Sequence, residues 1–219
     1  HGMASLSSPS PDPVGSSRPG SDGAARPRKS LGVVAVAAGD GIAMVLKSLG
    51  ADVVVTGGQT MNPSIQDIAE AARATNADSV IVLPNNSNVI LTAGKASEVP
   101  DVSDIRIGVV PTKTVPQGIA ALLALNPGSS MDENVSHMTD VSGRVKTGEV
   151  TYAVRDSSYN GLAIKVNDVI GLFDGELKAV GESRHQVVDE LVEAMYSESD
   201  EVATVFYGAD VAPEEAESI

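Results

Sequence analysis

The 219-residue sequence contains no cysteine, and only 3% of its residues are aromatic. The first absence excludes disulfides, thiolate metal sites and a cysteine nucleophile, and it fits a reducing cytoplasm. The second leaves Val, Ile, Leu, Ala and Met to build the core, with little stacking surface for bases or sugars. No apolar run reaches the roughly 18 residues of a membrane span. Basic residues are scarce: 15 Lys and Arg stand against 29 Asp and Glu, a net charge of −14. That balance argues against nucleic acid or an anionic membrane surface as a partner. Solubility accounts for it, and so does a basic surface on a partner protein. Of the three histidines, His1 belongs with Gly2 and Met3 to what reads as a leader left by cloning.

Residues 1–30 differ in kind from the rest. Pro9, Pro11, Pro13, Pro19 and Pro27 lie among many Ser and Gly, ahead of a basic end at Arg26-Pro27-Arg28-Lys29. Such a stretch buries too little apolar surface to offset its ordering entropy, so it is expected to be a disordered linker. It holds four of the basic residues and two of the acidic ones, leaving 11 against 27, or −16, for residues 31–219. A linker ahead of the domain suggests that a natural protein continues upstream. At the other end, Val202 to Tyr207 reads as a strand, and Ala212-Pro213-Glu214-Glu215-Ala216-Glu217 as a helix start. The 31–219 domain is therefore expected to be part of something larger, truncated at its C-terminus.

Within residues 31–128, four apolar runs each lead into a polar loop and then a helical stretch. Val33–Val36 runs into Ala38-Gly39-Asp40-Gly41, and Val53–Val55 into the loop from Thr56 to Ser64. Val80–Leu83 runs into Pro84-Asn85-Asn86-Ser87-Asn88, and Ile105–Val110 into the loop from Pro111 to Gly118. Repeated strand–loop–helix units predict an α/β fold with a mainly parallel sheet flanked by helices, its loops gathered on the carboxyl edge. Helices are expected over 42–49, 64–75, 88–97 and 117–125, with Ser64 as an N-cap.

Residues 129–219 open with a helix over 131–145, where Ser130 and Glu133 form a capping box. An antiparallel patch follows: strands over 150–155, 162–166, 169–173 and 176–180, with Asp174-Gly175 as a hairpin turn. Val187, Val188, Leu191, Val192 and Met195 then share one face of a helix over 183–196.

Among the loops, Gly57-Gly58-Gln59-Thr60-Met61-Asn62-Pro63-Ser64 is the richest candidate. Two glycines allow close backbone approach, the following helix start offers free N–H groups, and Gln59, Thr60, Asn62 and Ser64 add neutral hydrogen-bonding groups. A carboxylate or phosphate would suit it; a tight turn with an N-cap accounts for it equally well. It is not a phosphate-binding Gly-Lys-Ser/Thr loop. Gly39 and Gly41 lack the third glycine of a dinucleotide loop, so Asp40 is expected to cap the next helix or touch a partner. Asn85 and Asn86 suit left-handed turns and capping. Lys113, between Thr112 and Thr114, is the one cation of the four loops and is suited to a carboxylate, a phosphate or a solvated surface. Gln117 follows at the start of its helix. His137 and His185 read as surface residues, and Glu198, Asp200 and Glu201 as a solvated charge run. No nucleophile, base and orienter occur together, so no catalytic residue, metal site or cofactor site is expected.

Five stretches, in order, resemble one known set: Gly32–Gly41, Thr56–Ser64, Leu83-Pro84-Asn85-Asn86, Pro111–Gly118 and Gly148–Asp156. They look like the C-terminal region of the dihydroxyacetone-kinase-like, ATP-binding subunit of bacterial fatty acid kinase, over roughly 31–219. The resemblance implies a DegV-like fold and a cytoplasmic parent protein in lipid metabolism and phospholipid synthesis. Its ATP and magnesium sites would lie in an N-terminal domain upstream of this chain. That parent would phosphorylate the carboxylate of a fatty acid presented by a separate fatty-acid-binding carrier subunit, which this region would help to engage. The stretch from Gln59 to Ser64 is similar in position to the carrier family's Thr-Ser-x-Pro-Ser carboxylate loop. Pro63 and Ser64 are retained; the Thr-Ser pair is not. The implied partners are the upstream kinase domain and the carrier subunit, with a homodimer also compatible. Alone, the chain is expected not to transfer phosphate from ATP.

Overall fold

Val-rich runs that are apolar at every position, rather than at alternate ones, belong to strands covered on both faces. The computed structural model, which describes residues 27–57, 62–159 and 161–218, places them so. Strands β1 (Lys29–Ala37), β2 (Val53–Thr56), β3 (Ala77–Leu83) and β4 (Arg106–Val109) form a parallel sheet in the order β2-β1-β3-β4. The register pairs Ala37 with Thr56, Ala35 with Leu83 and Val82 with Val109.

Alternate residues of the central strands serve two cores. Val34, Val36, Val80 and Val82 pack against Ile68, Ala69 and Ala72 of α2 (Ile65–Ala74) and Val89 and Ala93 of α3 (Ser87–Lys95). Val33, Ala35, Ile81 and Leu83 face the other way, onto Leu46 of α1 (Asp40–Ser48), Ala121 and Leu122 of α4 (Val115–Leu123), and Met138 of α5 (Met131–Ser142). Connection β1-to-β2 moves along the sheet opposite to β2-to-β3 and β3-to-β4. Crossovers of one hand must then put α1 on the face opposite α2 and α3, as observed. Each fully buried Leu, Ile or Val contributes roughly 1.5–3 kcal/mol, so these two layers hold the domain together.

The second half carries a separate antiparallel sheet. Strands β5 (Gly148–Tyr152), β8 (Val169–Phe173) and β9 (Glu176–Gly181) form it in that order. A two-stranded hairpin, β6 (Ser157–Tyr159) with β7 (Leu162–Ile164), stands apart from it. The β8–β9 turn holds Asp174 and Gly175 at φ 49° and 85°, the paired positive angles that a twisted two-residue hairpin requires. Helix α6 (Arg184–Met195) covers this sheet with Val187 and Leu191. A short helix, α7 (Pro213–Glu217), follows.

The boundaries differ from the sequence expectation at several points. Strand β1 begins at Lys29, inside the stretch read as linker, because Arg28 bridges Asp78 at 3.0 Å and Asp104 at 2.6 Å and Lys29 pairs with Asp52. Residues 1–26 lie outside the described residues. Helix α5 ends at Ser142 rather than 145. Strand β5 stops at Tyr152, because Ala153 leaves the ladder to exchange hydrogen bonds with Asp168 and Asn167. Residues 202–207 are not a strand: they are irregular and exposed, with no backbone ladder to join. Nor is the acidic run wholly solvated, since Asp200 pairs with Lys146 at 2.7 Å.

Candidate functional site

Four parallel strands end on one line, so the loops that follow them share a rim. At roughly 4.8 Å per strand spacing, that rim is about 14 Å across from β2 to β4. Its members divide into an exposed set and a buried set. Asp40, Asn62, Ser64 and Lys113 are exposed, and Gly57, Asn86 and Gln117 are half-buried. Asn85, Thr112 and Thr114 are buried, at 3%, 0% and 9% exposure. Gly58, Gln59 and Thr60 lie outside the described residues.

The buried set fixes the rim. Asn85 sits in the left-handed region at φ 53°, which asparagine tolerates better than other residues with a β-carbon. Its side-chain Nδ2 donates to the Val36 carbonyl at 2.9 Å, and its backbone N–H donates to Thr112 Oγ1 at 3.0 Å. One residue thereby ties the ends of β1, β3 and β4 together. Its Oδ1 is turned onto Gly118, where an added β-carbon would lie only 2.0 Å away, and it has no N–H or O–H donor among the described residues. Sequence reasoning placed Asn85 on the rim as a turn or capping residue but missed this bracing role. The Pro-Asn-Asn signal after an apolar run marks a turn, not its tertiary partners.

Capping occupies other candidates. Ser64 and Asp67 form a reciprocal box at the start of α2: Asp67 N–H donates to Ser64 Oγ at 3.1 Å, and Ser64 N–H donates to Asp67 Oδ2 at 2.8 Å. The Ser64 backbone N–H, and after it the Ser64 hydroxyl donating to Oδ2 at 2.8 Å, hold the Asp67 carboxyl below its ordinary value. Asn86 caps α3 through Asn88 N–H, and Thr114 caps α4 through Gln117 N–H. Gln117 in turn accepts from the Lys113 backbone N–H through Oε1 at 2.8 Å. Asp40 does not cap α1, contrary to expectation. Gly39 holds that position at φ 79°, and Asp40 sits in the first helical turn with its charge near the free N–H groups.

The rim thus presents short polar groups and one exposed cation on a braced frame. Among the described residues, no three His, Asp or Glu side chains gather so as to hold a metal ion. An open groove of about 660 Å³ lies elsewhere, beside β4 and α5, between Arg106, Gly108, Met131, Asp132, Val135 and Asp140. No helix among the described residues is long and apolar enough to cross a membrane.

These features define a three-layer α/β domain with a polar carboxyl rim and an appended antiparallel sheet. Residues 32–219 match the family of FakA-like fatty acid kinase C-terminal domains, and the chain belongs to that family. It is similar to protein YloV of Bacillus subtilis (strain 168), at 44% identity over 88% of this chain and 34% of that protein. It is also similar to an uncharacterized protein of Staphylococcus haemolyticus, at 36% identity over 81% of this chain and 32% of the relative. A further uncharacterized protein, from Staphylococcus aureus (strain USA300), is 35% identical over the same shares. The chain thus spans about a third of the length of the curated relatives it matches.

Proposed function

We propose that this domain is a docking module of a fatty acid kinase, engaging a fatty-acid-binding carrier subunit through the carboxyl rim. The parent protein would then phosphorylate the acyl carboxylate with ATP, in the cytoplasm, using nucleotide and magnesium sites outside this chain. Membership of the kinase-subunit family carries the reading. The rim suits it because Asp40, Asn62, Asn86 and Lys113 offer polar contacts beside a frame braced by Asn85. Lys113 is exposed and has no side-chain partner among the described residues, which supports its meeting a carboxylate on the carrier. Ser64 is already engaged by Asp67, which weighs against a separate small-molecule carboxylate site in that loop.

Titration calorimetry of this chain against the carrier subunit tests the reading. The expected result is saturable binding that weakens as salt rises. Absence of heat and of co-elution at low salt overturns it.

A further inference from the structure

The parallel sheet is covered on both faces, yet its β4 edge is open. Strand β4 ends the order β2-β1-β3-β4 and pairs only with β3. The Val110 N–H donates to the Val82 carbonyl at 3.1 Å, which turns Val110 towards β3. By alternation Gly108 turns the same way, and the N–H and C=O groups of Ile107 and Val109 point outward. Those outward groups have no hydrogen-bond partner among the described residues. They open into the groove of about 660 Å³ beside α5, so the edge is a template for another strand.

The two ends of the groove differ in charge. Helix α5 runs in the same direction as β4. Near its start Asp132 meets Arg106 at 3.2 Å, and just past its end Val145 accepts from Gln117 at 3.5 Å on the rim. Asp140, two turns beyond Asp132, therefore lines the groove about 12 Å nearer the rim. Arg106 uses only Nη2 on Asp132, and the rest of its fork has no partner among the described residues. Between the two ends Gly108 faces α5, where an added β-carbon would lie 3.0 Å from Val135.

A strand entering this edge must bring cover for its own faces, and a second copy of the chain does so. With the two β4 strands antiparallel about a two-fold axis beside Gly108, Ile107 of each copy lies opposite Val109 of the other. Each such pair exchanges both its N–H···O bonds. Gly108 meets Gly108 of the other copy at the close Cα approach of about 4.5 Å, with no side chain between them. Helix α5 rests over both β3 and β4, so the two α5 helices lie antiparallel and two strand spacings apart. That is about 9.6 Å, inside the roughly 8–10 Å range of packed helices. The same axis carries Arg106 of each copy towards Asp140 of the other, so the ends of the groove are complementary. We infer that two copies of this chain join edge to edge through β4 and α5, forming one continuous sheet. This surface lies to the side of the carboxyl rim, and the inference is independent of carrier docking.

Sedimentation equilibrium and hydrogen exchange on this chain over a range of concentrations test it, at moderate salt so that the like net charge of two copies is screened. The expected result is a monomer–dimer equilibrium in which the Ile107 and Val109 amides slow by about tenfold or more as dimer accumulates. Ser136 is exposed, lines the groove and follows Val135 at the level of the axis. Ser136→Glu is expected to weaken the dimer by about tenfold or more while leaving the melting temperature of the dilute chain within about 1–2 °C. A monomer whose two amides exchange fast up to about 1 mM overturns the inference. So does a dimer that Ser136→Glu leaves intact, slow exchange that dilution does not relieve, or slow exchange that appears only when a different protein is added.

Discussion

Thr114 and Thr147, 33 residues apart, share a buried hydroxyl–hydroxyl hydrogen bond of 2.8 Å. Thr114 caps α4 at the rim, and Thr147 immediately precedes β5, so this bond joins the parallel half to the antiparallel sheet. Thr147→Val keeps the shape but leaves Thr114 without that partner. A loss of about 1–2 kcal/mol is expected, read as a melting temperature lower by roughly 2–8 °C. An unchanged melting curve would show that the junction contributes nothing.

Gly118 is required by Asn85. A β-carbon there would meet the Asn85 amide at 2.0 Å, and that amide cannot swing away without releasing the Val36 carbonyl. Gly118→Ala is expected to destabilise the domain by roughly 1–3 kcal/mol in urea titrations. Asn85→Gly, which keeps the positive φ accessible while removing the amide, should make the same alanine nearly neutral. If the two substitutions simply add, the contact is not the cause.

The capping boxes predict an acid limb in stability. Asp67 and Glu133 are held below their ordinary values of 3.8 and 4.5, chiefly by the backbone N–H groups of Ser64 and Ser130. A carboxyl whose pKa is lower folded than unfolded stabilises the fold above its unfolded value and loses that contribution as pH falls through the folded one. Asp104, beside Arg28, and Asp200, beside Lys146, shift in the same direction. The urea midpoint should therefore be flat near neutrality and fall below about pH 4. Ser64→Ala, which removes the α2 cap at a cost of about 1 kcal/mol, should make that acid limb shallower.

Lys113 separates docking from folding. Its side chain is exposed, so Lys113→Glu should leave the melting temperature within about 1 °C of the parent. Affinity for the carrier subunit should fall about tenfold at low salt, with a smaller difference at high salt. Equal affinity for both proteins would remove Lys113 from the interface.

Much of the parallel half was legible from the sequence alone. Three unbroken Val-rich runs and a fourth interrupted by Arg106 and Gly108, each followed by a polar loop and a helical period, left little choice but a parallel sheet covered on both faces. Ser64 and Ser130 marked their helix starts because capping is a local interaction between residues three apart. Asp174-Gly175 marked its turn because only a few residue types adopt consecutive positive φ angles. Other features had no local signature. Asn85 reads as an ordinary turn residue until Val36, Thr112 and Gly118 are brought around it from three other segments. Asp40 lost the capping role to Gly39 through backbone geometry that composition does not encode. Residues 202–207 show the limit most plainly. Strand propensity lies in the residues themselves, but a strand forms only when a neighbouring backbone supplies the hydrogen bonds, and that neighbour is decided by tertiary structure.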